Sequence, residues 1–194
     1  MKQLRPICLA SASPRRAELL ERYGLAFVRC HPRVDERLLP GEAPEAHVAR
    51  LAARKAEAAL AEHGDHLIVA GDTVVVHGGV VLGKPDSPQD AERMLTLLSG
   101  QTHRVLSACV LLDGPSGTRL ERCVETLVTF RELPAPWIRW YSRLDECRDK
   151  AGAYGIQGIG GAMVARIEGS YNNVMGLPVE AIVWDLLDMG WVAL

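Results

Sequence analysis

Hydrophobic and polar positions along this chain switch repeatedly between the strand period of two and the helix period near 3.6. Residues 5 to 10 carry a short apolar run, Ile7-Cys8-Leu9-Ala10, that reads as a first strand. Ser13-Pro14 then opens a helix expected over about Pro14 to Tyr23, because serine is a good N-cap and proline fits the first helical position, where no N–H is needed. A strand near Phe27 to Arg29 completes a strand, helix, strand opening of α/β type. Pro32, Pro40, Gly41 and Pro44 mark a loop holding Asp35 and Glu36, and an alanine-rich helix follows from about Pro44 to Glu62. Leu67 to Val76 reads as a buried strand, His77-Gly78-Gly79 as a hairpin turn and Val80 to Leu82 as its partner. A helix over Pro88 to Leu98 ends at Gly100, a good residue just past a helix end. Two longer strands, Thr102 to Leu112 and Arg119 to Phe130, flank the turn Asp113 to Gly117. A helix near Ala135 to Arg143, a glycine-rich segment, a strand near Met163 to Ile167 and a last helix from Pro178 to about Met189 complete the chain.

Three places break these patterns. On the second helix, Val48, Leu51, Ala52 and Ala59 define an apolar stripe, and Lys55 falls at its centre, whereas Arg50 and Arg54 fall off it. A lysine pointing inward wants an anion; the alternative is a stem laid on the core with its ammonium reaching water. Asp72 lies inside Val69-Ala70-Gly71-Asp72-Thr73-Val74-Val75-Val76, otherwise a sheet interior. A buried carboxylate needs a metal, a cation or a catalytic water as partner, unless an Asp-Thr pair is hydrogen-bonded to a neighbouring loop. Gly71 beside it permits close approach of a ligand or another backbone.

The third break is the first helix start. N-terminal N–H groups carry partial positive charge, so Arg15 and Arg16 in that turn are disfavoured by a few tenths of a kcal/mol each. The chain carries its own control in Ser87-Pro88-Gln89-Asp90-Ala91-Glu92, where the same Ser-Pro start is followed by the acids the dipole prefers. Ser11, Ser13, Arg15 and Arg16 with the helix N–H groups would suit a phosphate. The alternative is two exposed arginines tolerated at small cost.

With 194 residues, 48% hydrophobic and 24% charged, the chain is expected to form one soluble domain over 1–194. A net charge of −2 provides no global basic field for nucleic acid or membrane, so an anion site must come from local clustering and points to a small anion. Cys8, Cys30, Cys109, Cys123 and Cys147 are odd in number and lack CxxC spacing, which fits reduced core thiols in the cytoplasm and argues against a metal-thiolate site. No run reaches membrane-spanning length, and the N-terminal apolar run is too short for a signal peptide.

Five glycines between positions 152 and 161 describe a loop packed closely on something. Gln157 within it presents a donor and an acceptor that match the O4 and N3–H edge of uracil or thymine. A glycine-rich turn at a sheet edge fits the residues equally well. Lys84, between Gly83 and Pro85, is a further candidate for the phosphate site.

Taken in order, Ser11-Ala12-Ser13-Pro14-Arg15-Arg16, Gly71-Asp72-Thr73-Val74-Val75, Gly83-Lys84-Pro85, Leu98-Ser99-Gly100-Gln101-Thr102-His103, Asp149 to Gly158, and Gly169-Ser170-Tyr171 through Val174-Met175-Gly176-Leu177-Pro178 span nearly the whole chain. In order and spacing they resemble the Maf nucleotide pyrophosphatases. Met175, where valine is usual, and Ala12, where glycine often stands, are minor departures. The resemblance implies a mixed α/β fold of the Maf and inosine-triphosphatase kind, with a central twisted mixed sheet flanked by helices and a cleft. It also implies hydrolysis of a nucleoside triphosphate to monophosphate and pyrophosphate with a divalent metal, Mg²⁺, Mn²⁺ or Co²⁺. Asp72 matches the proton acceptor, while Arg15, Thr73 and Gln157 match positions associated with nucleotide choice. The run from Ala153 to Gly158 is similar to the dTTP/UTP branch, with modified pyrimidine triphosphates as further substrates and house-cleaning or cell-division arrest as the family's roles. Asp72 and Glu36 are the candidate metal ligands, and Ser11, Ser13, Arg16, Lys55 and Lys84 the candidate phosphate ligands, with Lys150 as a further cation. A homodimer is implied by the resemblance. The competing readings are a 7-methyl-GTP-type member and a non-catalytic nucleotide- or nucleic-acid-binding regulator, the latter opposed by the net charge and the lack of a basic-aromatic stripe.

Overall fold

The computed structural model describes all residues, Met1–Leu194. Its strands are β1 (Lys2–Gln3), β2 (Ile7–Ala10), β3 (Phe27–Cys30), β4 (Leu67–His77), β5 (Val80–Leu82), β6 (Thr102–Asp113), β7 (Arg119–Phe130), β8 (Val164–Glu168) and β9 (Val192–Ala193). The helices are α1 (Pro14–Glu21), α2 (Pro44–Glu62), α3 (Pro88–Leu98), α4 (Ala135–Tyr141), α5 (Tyr171–Met175) and α6 (Val179–Asp188). A seven-stranded mixed sheet has the order β3-β2-β4-β6-β7-β8, with β5 added to β4. The small pair β1 and β9, which the hydrophobic pattern does not announce, joins the two chain ends antiparallel.

Two compact units divide the chain: residues 1–72, 107–124 and 176–194 form the first, and residues 73–106 and 125–175 the second. In the first unit β2 pairs parallel with β3 on one side and with β4 on the other. The chain therefore leaves β2 through α1 to β3, then returns through α2 to the opposite edge of β2. Such a reversal of strand order is where open α/β sheets place ligands, outside the carboxyl ends of the strands. Ala10 ends β2 and is the register partner of Ala70, so Ser11 and Gly71-Asp72 follow the last parallel pair while β4 itself runs on to His77. These strands are buried along their length, from Ile7 to Ala10 and Leu67 to Ala70, which explains their continuous apolar runs.

The second unit packs α3 and α4 with the glycine-rich segment around Leu95, Leu98, Phe130, Tyr141, Tyr154 and Met163. His103, 1% exposed, sits in this apolar setting, edge-on to Phe130 and Tyr154. Its Nε2 lies 2.9 Å from the Tyr154 hydroxyl, while Nδ1 has no partner. Burial, with a smaller contribution from His77, pushes its pKa down to about 4 from the ordinary 6.5. Below pH 6.5 the unfolded chain binds a proton that the folded one refuses until about pH 4, so stability is full at neutral pH and falls as pH drops through that window. The expected loss by pH 4 is about 3 kcal/mol from this group. In denaturant unfolding at a series of pH values, His103→Gln is expected to lessen that slope; an identical slope in the variant refutes the assignment.

Candidate functional site

The first helix start is built differently from its control. Ser87 caps α3 as expected, its hydroxyl accepting from the Asp90 N–H at 3.1 Å. Ser13 caps α1 from extended backbone, but its hydroxyl makes no capping bond, contrary to the sequence expectation. The Ser13 N–H instead donates to Ser11 Oγ at 3.1 Å, so Ser11 holds the turn and the Ser13 hydroxyl stays out of the cap. Arg15 is half-buried at the same turn.

Arg16 turns inward. Its Nε donates to the Gly176 carbonyl at 2.7 Å, and Nη1 to the Gly71 carbonyl at 2.8 Å and to Ser11 Oγ at 3.3 Å. Burial lowers its pKa, opposed by the nearby charge of Asp72. The helix-dipole cost of this arginine is thus offset by charge-assisted bonds that tie the α1 start, β4 and the turn before α6 together. Gly71 allows a close approach here: a Cβ would stand 3.1 Å from the Ala108 carbonyl and 3.3 Å from Leu177 Cδ1, tighter than most side chains accept. The close neighbour allowed for at Gly71 is therefore backbone.

On α2 the inward face is His47, Val48, Leu51, Ala52, Lys55, Ala56 and Ala59, so Lys55 lies in the stripe where the periodicity puts it. Its ammonium reaches Asp72 Oδ1 at 2.7 Å and Glu36 Oε1 at 2.5 Å. The Asp72 side chain is 12% exposed and that of Glu36 55%, so one carboxylate sits in the wall and the other on the rim. The lysine has found its anion, and the buried carboxylate its cation.

Glu36 is carried by a loop without regular structure that is laced by charge. Arg37 grips Asp35 through both carboxylate oxygens and holds its pKa well below the usual range. Glu42 accepts from Arg50 Nε at 2.5 Å and Nη2 at 2.7 Å and meets His47 Nδ1 at 3.0 Å, while Arg50 also donates to the Arg37 carbonyl. Those bonds pull the Glu42 pKa down to about 2. Glu42 and Arg50 were missed by the sequence reading. Eight residues apart across a helix start, they make no motif, and Arg50 stands off the apolar stripe.

Thr73 follows Asp72 on β4, half-buried. Lys84 and Gln157 belong to the second unit and are exposed. Within that unit the Gly83 carbonyl accepts from the Gly152 N–H at 3.1 Å, linking the chain before Lys84 to the glycine-rich segment. What that segment packs on is Glu146, another residue not singled out. Its carboxylate accepts from Tyr141 Oη at 2.7 Å, Gly160 N at 2.9 Å and Ile159 N at 3.0 Å. A Cβ on Gly158 would collide with that carboxylate. Lys150 bonds the Glu146 carbonyl at 2.7 Å and Asp149 at 2.6 Å. The Gly169-Ser170 motif is held by Thr126, whose Oγ1 exchanges hydrogen bonds with Ser170 and accepts from Asn173 Nδ2.

All five cysteines are free thiols, with Cys123 exposed and the other four buried. No helix is long and apolar enough to cross a membrane.

The site's residues fall within residues 6–189, the part of the chain matched by the family model described as Maf-like protein. A protein of Syntrophus aciditrophicus named dTTP/UTP pyrophosphatase is 45% identical over 184 residues, covering 95% of this chain and 90% of its own. Proteins of the same name from Shewanella denitrificans and Anaeromyxobacter dehalogenans are 49% and 50% identical, covering 88% and 89% of this chain and 89% and 88% of their own lengths.

Arg16→Met, which removes the bonds to two buried carbonyls, is expected to cost about 3 kcal/mol in urea unfolding, and Arg16→Lys less, because one ammonium only partly spans the three acceptors. A loss in Arg16→Met below about 1 kcal/mol would refute the strut.

Proposed function

This chain belongs to the Maf-like protein family, and from that premise we propose that it is a nucleoside triphosphate pyrophosphatase converting dTTP and UTP to the monophosphate and pyrophosphate. The observation that carries the reading is the buried Asp72 carboxylate midway along β4, just past its parallel pairing with β2, met by the inward ammonium of Lys55 that also binds the exposed Glu36. A structural ion pair has no need of a second, solvent-facing carboxylate on the same ammonium.

Asp72 and Glu36 are the residues that would hold a divalent ion. Both already converge on one cation, and carboxylate oxygens suit hard ions such as Mg²⁺ or Mn²⁺, with Co²⁺ also accommodated. When bound, the ion neutralises triphosphate oxygens and polarises the phosphoryl group. Asp72 accepts the proton of a water whose oxygen forms a bond to the α-phosphorus. The bond from that phosphorus to the bridging oxygen breaks, pyrophosphate leaves with its electron pair, and the proton passes from Asp72 to solvent. Lys55 has three N–H donors, two of which meet Asp72 and Glu36; the third, with Arg15, offsets charge on the departing pyrophosphate, and Lys84 is a phosphate candidate from the sequence alone. Ser11, Ser13 and the first-turn N–H groups of α1 seat a phosphate, and Arg16 holds that seat from behind through Gly71 and Gly176. Thr73, Gln157 and Arg15 read the pyrimidine. A single domain, expected from length and composition, a cytoplasmic location, expected from the scattered thiols, and a homodimeric state, implied by the family resemblance, complete the proposal.

Asp72→Asn is expected to keep the fold and to lower pyrophosphate release from UTP by about 10²–10⁴ with Mg²⁺, Mn²⁺ or Co²⁺. Retained turnover ends the assignment of Asp72 as base. Gln157→Ala is expected to lower the UTP over CTP preference in kcat/KM by about 1 kcal/mol, the worth of a hydrogen bond to the base, with little change in triphosphate binding. Equal losses for both nucleotides reject base reading by Gln157.

A further inference from the structure

Cys8 and Cys30 are remote in sequence and lack metal-binding spacing, yet the sheet brings them together. The parallel register sets Cys8 beside Val28 and Ala10 beside Cys30, so the two thiols share one face as diagonal neighbours on adjacent strands. Their sulfurs are 3.3 Å apart. His63, where α2 ends, brings an imidazole to the same point, and the three ligand atoms all lie within 4.8 Å of one another. Cys8 is fully buried and Cys30 nearly so, while His63 is partly exposed, which gives the cluster an opening to solvent.

We propose that Cys8, Cys30 and His63 form a binding site for a thiophilic divalent cation of the Zn²⁺ class, in addition to the nucleotide site. The donor set selects the ion. Two sulfurs and an imidazole nitrogen suit borderline or soft cations and are poor ligands for Mg²⁺. Tetrahedral Zn²⁺ with Zn–S of about 2.3 Å sets two sulfurs about 3.8 Å apart, so the pair opens by about half an ångström while the imidazole closes in. Two thiolates cancel the charge of the ion, and a fourth position on the His63 side is open to water or to Glu62. Without an ion the thiols are poor nucleophiles: burial pushes Cys8 up to about 12 and raises Cys30, and the charge of Glu62 adds to both. A bound cation compensates both, by balancing the charge of the buried thiolates and that of Glu62. The other buried thiols are placed differently; Cys147, for example, donates to backbone carbonyls of its own turn.

An ion here joins β2, β3 and the C-terminal end of α2. The same helix carries Lys55 eight residues earlier, about 12 Å along its axis. The ion thus pins the far end of the helix that presents the ammonium to Asp72.

The test uses the reduced, chelator-treated full chain carrying Cys123→Ser, which removes the exposed thiol, titrated with Co²⁺ and then Zn²⁺. One equivalent of Co²⁺ is expected to give sulfur-to-metal charge-transfer absorption that Zn²⁺ abolishes, and Zn²⁺ to raise Tm. Asp72→Asn is expected to leave that absorption unchanged, since oxygen ligands give none, which separates this site from the nucleotide site. Cys8→Ser and Cys30→Ser are each expected to lose it. His63→Ala, at a partly exposed position that leaves the core intact, is expected to weaken Co²⁺ by about tenfold or more. No sulfur band, a band that survives Cys8→Ser, or unchanged affinity in His63→Ala overturns the proposal.

Discussion

Burying Asp72 in the middle of a sheet strand costs several kcal/mol unless a cation meets it, and the first unit supplies one in Lys55. Lys55 must come from the apolar face of α2 to reach it, which fixes the rotation of that helix over the sheet. Removing the ammonium would leave the Asp72 carboxylate buried without its cation, whereas removing the Asp72 charge leaves Lys55 its partner on the rim, Glu36. The pair is therefore a constraint on the fold as much as a piece of chemistry. Glu36 adds a second carboxylate on the solvent side and leaves the trio with an excess negative charge, a poor arrangement for stability alone and a good one for receiving a further cation.

Arg16 imposes a similar constraint through the backbone next to Asp72. Its guanidinium bonds the carbonyls of Gly71 and Gly176 and the hydroxyl of Ser11, so the segments that deliver the proposed base and the proposed phosphate seat are fixed by one planar, permanently charged group. The two arginines that looked alike in sequence thus divide their work. Arg16 bonds backbone from within, and Arg15 is half-buried at the same turn.

Much of this was legible in the chain because it violated local rules. Lys55 broke an amphipathic stripe, Asp72 broke a strand interior, and Arg15 and Arg16 broke a helix dipole that Ser87-Pro88 obeyed; each anomaly is local, so periodicity alone exposes it. Elements with strong periodicity, α2, α3, β5 and β7, kept the bounds the pattern assigned. What escaped was made by distant partners. The β1 and β9 pair has two residues on each side and too little pattern to read, and α5 is only five residues long. Glu146 is an ordinary acidic residue until the glycine-rich segment folds over it, and Glu42 with Arg50 acquires meaning only when the loop closes on α2. Cys8 and Cys30 were read as unrelated core thiols because a sheet register, not a spacing motif, places them side by side.

The geometry also separates the two carboxylates on Lys55 by role. A proton acceptor must keep its position while a water is lined up against phosphorus, since an error of an ångström is costly in rate. Asp72 has that rigidity: it sits in a central strand, flanked by Gly71 packed under Ala108 and locked by Arg16. Glu36 has a longer side chain, more than half exposed, on a loop secured by side-chain ion pairs rather than by a backbone ladder. A ligand that must adjust as a triphosphate arrives and pyrophosphate departs gains from that freedom. Burial and backbone anchoring therefore favour Asp72 as the base and Glu36 as the adaptable partner, although both touch the same ammonium.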